Sequence, residues 1–137
     1  MIQIVCGEKG KGKTKVMLEK ANEAAKLSRG SIAYLDKNSK HMYELNNNIR
    51  LIDVSEYPVD SYQGFIGFVS GLLSGNHDLE TVFFDSFLTL ACLEGKDISD
   101  AITMLENLSG NTNFILSVSM GEDEIPEGVK DKIITSC

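Results

Sequence analysis

At 137 residues, with 42% hydrophobic and 24% charged content, the chain has the make-up of one soluble globular domain spanning residues 1–137 around a single core. Its formal net charge of -7 and sequence pI near 4.8 exclude a general nucleic-acid-binding surface, which clustered Lys and Arg would have to supply. There is no apolar run of the ~18 residues a membrane span needs, and no room for a signal peptide before the strand signal at residue 2, so we expect a cytoplasmic chain with no membrane partner. Cys6, Cys92 and Cys137 are odd in number and form no C-x-x-C pair, which argues against a disulfide framework or a structural zinc.

In chain order, Ile2 to Cys6 is a β-branched run suited to a buried strand, with Cys6 acting as a small hydrophobe. It leads directly into Gly7-Glu8-Lys9-Gly10-Lys11-Gly12-Lys13-Thr14, which satisfies G-x-x-x-x-G-K-[ST] at every fixed position. Met17, Leu18, Ala21, Ala24 and Ala25 then recur along one face of a helix. Strand, glycine loop and helix in this order form a phosphate cradle. The glycines let the backbone take positive φ and approach an anion closely, and the opening helix adds unpaired N–H groups and the positive end of its dipole. The ligand class expected is therefore a nucleoside triphosphate with Mg²⁺. The expected binding set is Gly7, Glu8, Lys9, Gly10, Lys11, Gly12, Lys13, Thr14 and the adjacent Lys15, with Lys13 at the β/γ-phosphates and Thr14 on the metal. Lys9, Lys11, Lys13 and Lys15 also concentrate positive potential here, whereas acidity gathers elsewhere, as in Glu122-Asp123-Glu124 and Glu127, which read as solvated loop.

Ser28-Arg29-Gly30 stops the helix, and Ser31 to Asp36 reads as a second strand. Lys37 to Asn48 is polar loop or short helix, and Ile49 to Val54 a third strand. After Pro58, Asp60 or Ser61 can cap a helix with the stripe Phe65, Phe68, Val69, Leu72 and Leu73, which Gly64, Gly67 and Gly71 weaken by about 1 kcal/mol each. Thr81 to Asp85 is a fourth strand ending in a carboxylate, and residues 86–95 fit neither periodicity. A helix starts at Asp97 or Ser99 and stops before Gly110; Asn113 to Ser119 is a fifth strand; Lys132 to Thr135 is a candidate edge strand after a turn at Pro126. His41 and His77 read as isolated surface or capping residues. Alternating strands and helices mean an α/β fold with a mainly parallel sheet between two helical layers, a three-layer sandwich.

Val82-Phe83-Phe84-Asp85 looks like the Walker B strand of P-loop NTPases, whose terminal Asp holds the Mg²⁺ shell opposite the P-loop hydroxyl; the alternative role is an N-cap for the next segment. Over residues 1–120 the order of elements resembles the RecA-like branch of P-loop NTPases, and the chain looks like a small stand-alone bacterial P-loop ATP-binding protein of that branch. The resemblance implies that the strand after Walker B lies between it and the P-loop strand, with Ser117 or Ser119 sensing the γ-phosphate, and that Lys13, Asp85 and Ser117 carry any catalysis. It also implies a catalytic Glu that this chain lacks: Ser86 follows Asp85, and Lys37 and Asn38 follow the second strand. Without a positioned base, general-base help worth typically 10²- to 10⁴-fold is missing, and Asp36 is the best substitute, its alternative being to cap the following turn. The arginines are Arg29 and Arg50, neither in a loop expected to close over phosphates, so an arginine finger would come from a protein partner or a second copy. No N-K-x-D motif selects guanine, which leaves ATP as the default ligand. Three readings follow: a slow Mg²⁺-dependent ATPase, a non-catalytic nucleotide-sensing module signalling through residues 37–48 and 86–96, and a small-molecule kinase, for which the chain has poor equipment.

Overall fold

The computed structural model describes all residues from Met1 to Cys137. Its elements are β1 (Ile2–Cys6), α1 (Lys13–Leu27), β2 (Ser31–Asp36), β3 (Ile49–Asp53), α2 (Tyr62–Ser74), β4 (Leu79–Phe84), α3 (Phe87–Leu90), α4 (Ser99–Ser109), β5 (Asn113–Val118) and β6 (Ile133–Ser136). The six strands form one sheet in the order β3-β2-β4-β5-β1-β6, every pairing parallel. β5 thus lies between β4 and β1, and the tail strand adds at the outer edge of β1.

Alternation along the strands sets the layers. Val5, Ile32, Tyr34, Phe83 and Ile115 point to one face and pack with Met17, Leu18 and Ala21 of α1. Ile4, Cys6, Ala33, Leu35, Val82, Phe84, Phe114 and Leu116 point to the other, under Phe65, Val69 and Leu72 of α2 and Ala101, Ile102 and Leu105 of α4. Because both faces are covered, the central strands read as continuous apolar runs, as buried parallel sheets do. No helix is long and apolar enough to cross a membrane.

Local chemistry explains where the elements depart from the sequence reading. β3 ends at Asp53 rather than Val54, because the Asp53 carboxylate accepts from the Ser55 N–H at 3.0 Å and opens a 3₁₀ turn over Val54–Glu56. Ser61, not Asp60, caps α2, accepting from the Gly64 N–H at 3.0 Å. A Cβ at Gly67 or Gly71 would meet nothing within 4 Å, so close packing is not what keeps these glycines in the helix. The roughly 1 kcal/mol lost at each is outweighed by burial of Phe65, Val69 and Leu72, worth about 1.5–3 kcal/mol per side chain. Phe65 sets its ring edge-on to Phe84 and Phe87, at 5.8 and 5.9 Å, tying α2 to β4 and α3. Residues 86–95, ambiguous in sequence, hold the single turn of α3 and a buried loop: Phe87, Leu88, Leu90, Ala91 and Leu93 are all interior, so no one-sided period exists to be read.

Candidate functional site

The C-terminal ends of β1, β5, β4 and β2 open onto a cavity of about 690 Å³, with α1 starting at its side. Gly10 and Gly12 turn the loop after β1 at φ 80° and 90°, and Gly12 stands at the head of α1, where no side chain occupies the N-terminal N–H groups. Gly7 serves a different purpose. At φ 152°, a Cβ there would sit 2.9 Å from the Cys137 Cβ, so the end of β6 presses directly against the start of the loop.

Of the expected binding set, Lys9, Gly10, Gly12, Lys13 and Thr14 line the cavity, whereas Gly7, Glu8, Lys11 and Lys15 do not. Lys13 is only 8% exposed, and its ammonium donates to the Glu8 carbonyl at 3.0 Å. Burial lowers its pKa, an effect opposed by the acidic groups at Cys137 and Asp85.

Asp85 stands one residue beyond β4, with its N–H still paired to the Leu35 carbonyl at 2.9 Å. Strand alternation turns its side chain, with those of Tyr34 and Ser117, to the face that carries α1. At 2% exposure its carboxylate is nearly dry, and three hydroxyls satisfy it. Ser117 Oγ donates to Oδ1 at 2.8 Å and Tyr34 OH donates to Oδ2 at 2.7 Å. Thr14 Oγ1 makes a longer contact to Oδ1 at 3.4 Å, linking the first turn of α1 to the end of β4. Burial, then the Asp85 charge, pushes the Tyr34 phenol far above its usual range, so it remains a proton donor.

Ser117, 1% exposed, uses its hydroxyl fully, donating to Asp85 and accepting from the Ser86 N–H at 2.8 Å. Ser86 holds left-handed backbone at φ 61°, a conformation costing a non-glycine residue about 1 kcal/mol or more, and the Ser117 bond helps to keep it there. Ser119 lines the cavity beyond the end of β5. Asp36 is 3% exposed and does not line it; its carboxylate accepts from the Lys37 N–H at 2.7 Å, the turn-capping alternative. Burial and the neighbouring Asp85 charge raise the Asp36 pKa to about 6.

Lining residues that the sequence did not assign to the site come from two segments: Lys37, Lys40 and His41 after β2, and Ser86, Leu88, Thr89, Glu94 and Gly95 after β4. His41, expected to be an isolated surface or capping residue, is the N-cap of the 3₁₀ turn Met42–Glu44 but is not isolated: it lines the cavity and its ring contacts Glu44. Arg29 and Arg50 lie outside it, Arg50 donating to Asn76 at 3.1 Å.

A hydroxyl and a carboxylate on facing elements form the oxygen donor set that Mg²⁺ takes when substrate phosphates supply further ligands, so Thr14 and Asp85 fit that ion. Exposed glycine-loop amides and Lys13 fit an anion beside it.

No protein-family model and no curated protein matches the chain. Among solved structures, the crystal structure of flagellar accessory protein FlaH from Methanocaldococcus jannaschii is similar, with a TM-score of 0.62 and 16% sequence identity over 93% of this chain. The chain spans 64% of that protein's length, and at this identity the likeness speaks for the fold alone. With β5 between β4 and β1, all pairings parallel and helices on both faces, the chain has the RecA-like P-loop fold, a three-layer α/β sandwich.

Proposed function

We propose that this chain binds a nucleoside triphosphate, ATP by default, together with Mg²⁺, and hydrolyses it slowly. The observation that carries the reading is the meeting of Thr14, on the first turn of a helix opened by left-handed glycines, with the buried carboxylate of Asp85, 71 residues away in sequence. Loop amides and Lys13 hold the phosphates, and Thr14 and Asp85 hold the metal. When bound, Mg²⁺ neutralises charge on the β- and γ-phosphate oxygens. Tyr34 and Ser117 keep the carboxylate aimed, and Ser119, whose position at the cavity leaves it facing the ligand, takes the γ-phosphate role that Ser117 spends on Asp85.

A second reading, a nucleotide-sensing module with little chemistry, is favoured by a specific observation: besides the metal-directed Asp85, the only acidic side chain on the cavity wall is the exposed Glu94. Calorimetric titration with ATP, GTP and non-hydrolysable analogues, with and without Mg²⁺, followed by phosphate release on the same sample, decides between them. Binding that needs Mg²⁺ and is lost in Lys13→Ala supports the common part. Turnover that falls in Glu94→Gln with unchanged affinity selects the ATPase, and tight binding without turnover selects the sensor. If nothing binds below about 1 mM, a free energy of only about 4 kcal/mol, both readings fail.

A further inference from the structure

The cavity has a second basic wall, and its place in the sheet is informative. Across the strand ends the order runs β1, β5, β4, β2, so the glycine loop after β1 and the segment after β2 stand on opposite sides of Asp85. Both sides are cationic toward the cavity: Lys9 and Lys13 from the first, Lys37 and Lys40 from the second. Lys37 and Lys40 are exposed, and neither forms an ion pair with any carboxylate of the molecule, whereas the ring of the neighbouring His41 contacts the Glu44 carboxylate. In a chain of net charge -7, two lysines without ion-pair partners on the wall of a cavity also lined by Lys9 and Lys13 raise the local potential for an anion longer than one phosphate. The glycine loop, the Thr14–Asp85 pair and the segment after β2 line one and the same cavity, in that order across the strand ends.

We propose that Lys37 and Lys40 form a clamp for the terminal phosphate, supplied by the chain itself, so that the site distinguishes a nucleoside triphosphate from a diphosphate. This rests on the proposed nucleotide site and assigns what reads its third phosphate. It also gives the charge expected from an arginine of a partner an origin inside the molecule. Each ammonium makes charge-assisted hydrogen bonds to phosphate oxygens that a diphosphate does not extend far enough to offer.

The test is calorimetric titration of the full chain and of the Lys37→Ala/Lys40→Ala double variant, with Mg²⁺ present, using a non-hydrolysable ATP analogue, ADP and inorganic tripolyphosphate. Both lysines are solvent-exposed, so the fold is expected to persist, and circular dichroism melting verifies it. The clamp predicts that the variant loses about tenfold or more in affinity for the ATP analogue and for tripolyphosphate, less than about threefold for ADP, and that Lys37→Arg/Lys40→Arg restores the discrimination. Equal losses for tri- and diphosphate, or no loss for either, overturn the clamp and leave the nucleotide site standing. A parent chain that binds none of the probes overturns both.

Discussion

Replacing Tyr34 by Phe isolates a single hydroxyl at the centre of the site. The ring is fully buried and stacked on Phe83, with centroids 5.8 Å apart and planes at 19°, and Phe preserves that packing. What goes is the 2.7 Å bond to Asp85 Oδ2. Oδ1 keeps Ser117 and the long Thr14 contact, but Oδ2 is left without its donor in a carboxylate that is 2% exposed. A hydrogen bond to a charged group contributes about 1.5–3 kcal/mol, so Tyr34→Phe should destabilise the fold by about 2 kcal/mol. For a domain of this size that lowers Tm by roughly 6–8 °C. Urea unfolding at pH 7 followed by circular dichroism, with the m-value unchanged, measures it. Repeating the substitution in an Asp85→Asn background should reduce the cost to about 1 kcal/mol, because the bond is then between neutral groups. A single-variant cost below about 0.5 kcal/mol, or the same cost in both backgrounds, would refute the idea that the hydroxyl holds a charged Asp85.

Three further substitutions test other parts of the fold. With the Asp36 pKa raised from 3.8 to about 6, the folded chain holds a proton between those values that the unfolded chain has released, so stability falls as pH rises through that window; a rise of this size corresponds to about 3 kcal/mol at most. Asp36→Asn should therefore stabilise the protein at pH 7.5 and have little effect near pH 4, as urea unfolding at the two pH values would register; equal effects at both would contradict the shift. Gly30→Ala would put a Cβ 2.3 Å from the Asp78 carbonyl oxygen, a backbone atom already bound by the Ser31 N–H, and should cost about 2–3 kcal/mol. Gly67→Ala, which meets nothing within 4 Å in mid-helix, should instead add about 0.5–1 kcal/mol, and thermal melts of the two variants moving in opposite directions would verify both.

The fold was legible where local chemistry and global position agree. The first strand, glycine loop and helix are written in adjacent residues, and the short β-rich apolar run ending at Asp85 reads as the buried strand it forms. The tail strand was visible as a short β-branched run, and it pairs Ile133–Ser136 along β1. Much of the site was not legible, because contacts across the sheet leave no local trace. Tyr34 in a buried strand reads as core, and only the parallel register of β2 with β4 brings its hydroxyl to Asp85. Ser117 reads as a polar strand end that could meet a ligand, and it does line the cavity, but its bonds to Asp85 and the Ser86 N–H could not be read from the sequence. Lys37, Lys40 and His41 sit in a polar stretch of loop or short helix, and their facing the glycine loop depends on the order of strands between them. Glu94 sits at the exposed end of a segment whose apolar residues Phe87, Leu88, Leu90, Ala91 and Leu93 are interior, so no regular period marked it.

The hydroxyls that satisfy Asp85 come from residues 14, 34 and 117, carried by a helix and two strands that are far apart along the chain. Such a junction cannot exist in a partly assembled chain, since the crossovers bringing β1, β2, β4 and β5 side by side must all have closed first, the slow, non-local part of folding. A ligand of this junction would meet its full set of contacts only in the assembled molecule, so its binding energy would stabilise that state. Stability of the native chain would then rise with ligand concentration, which couples the junction's occupancy to how long the assembled sheet persists.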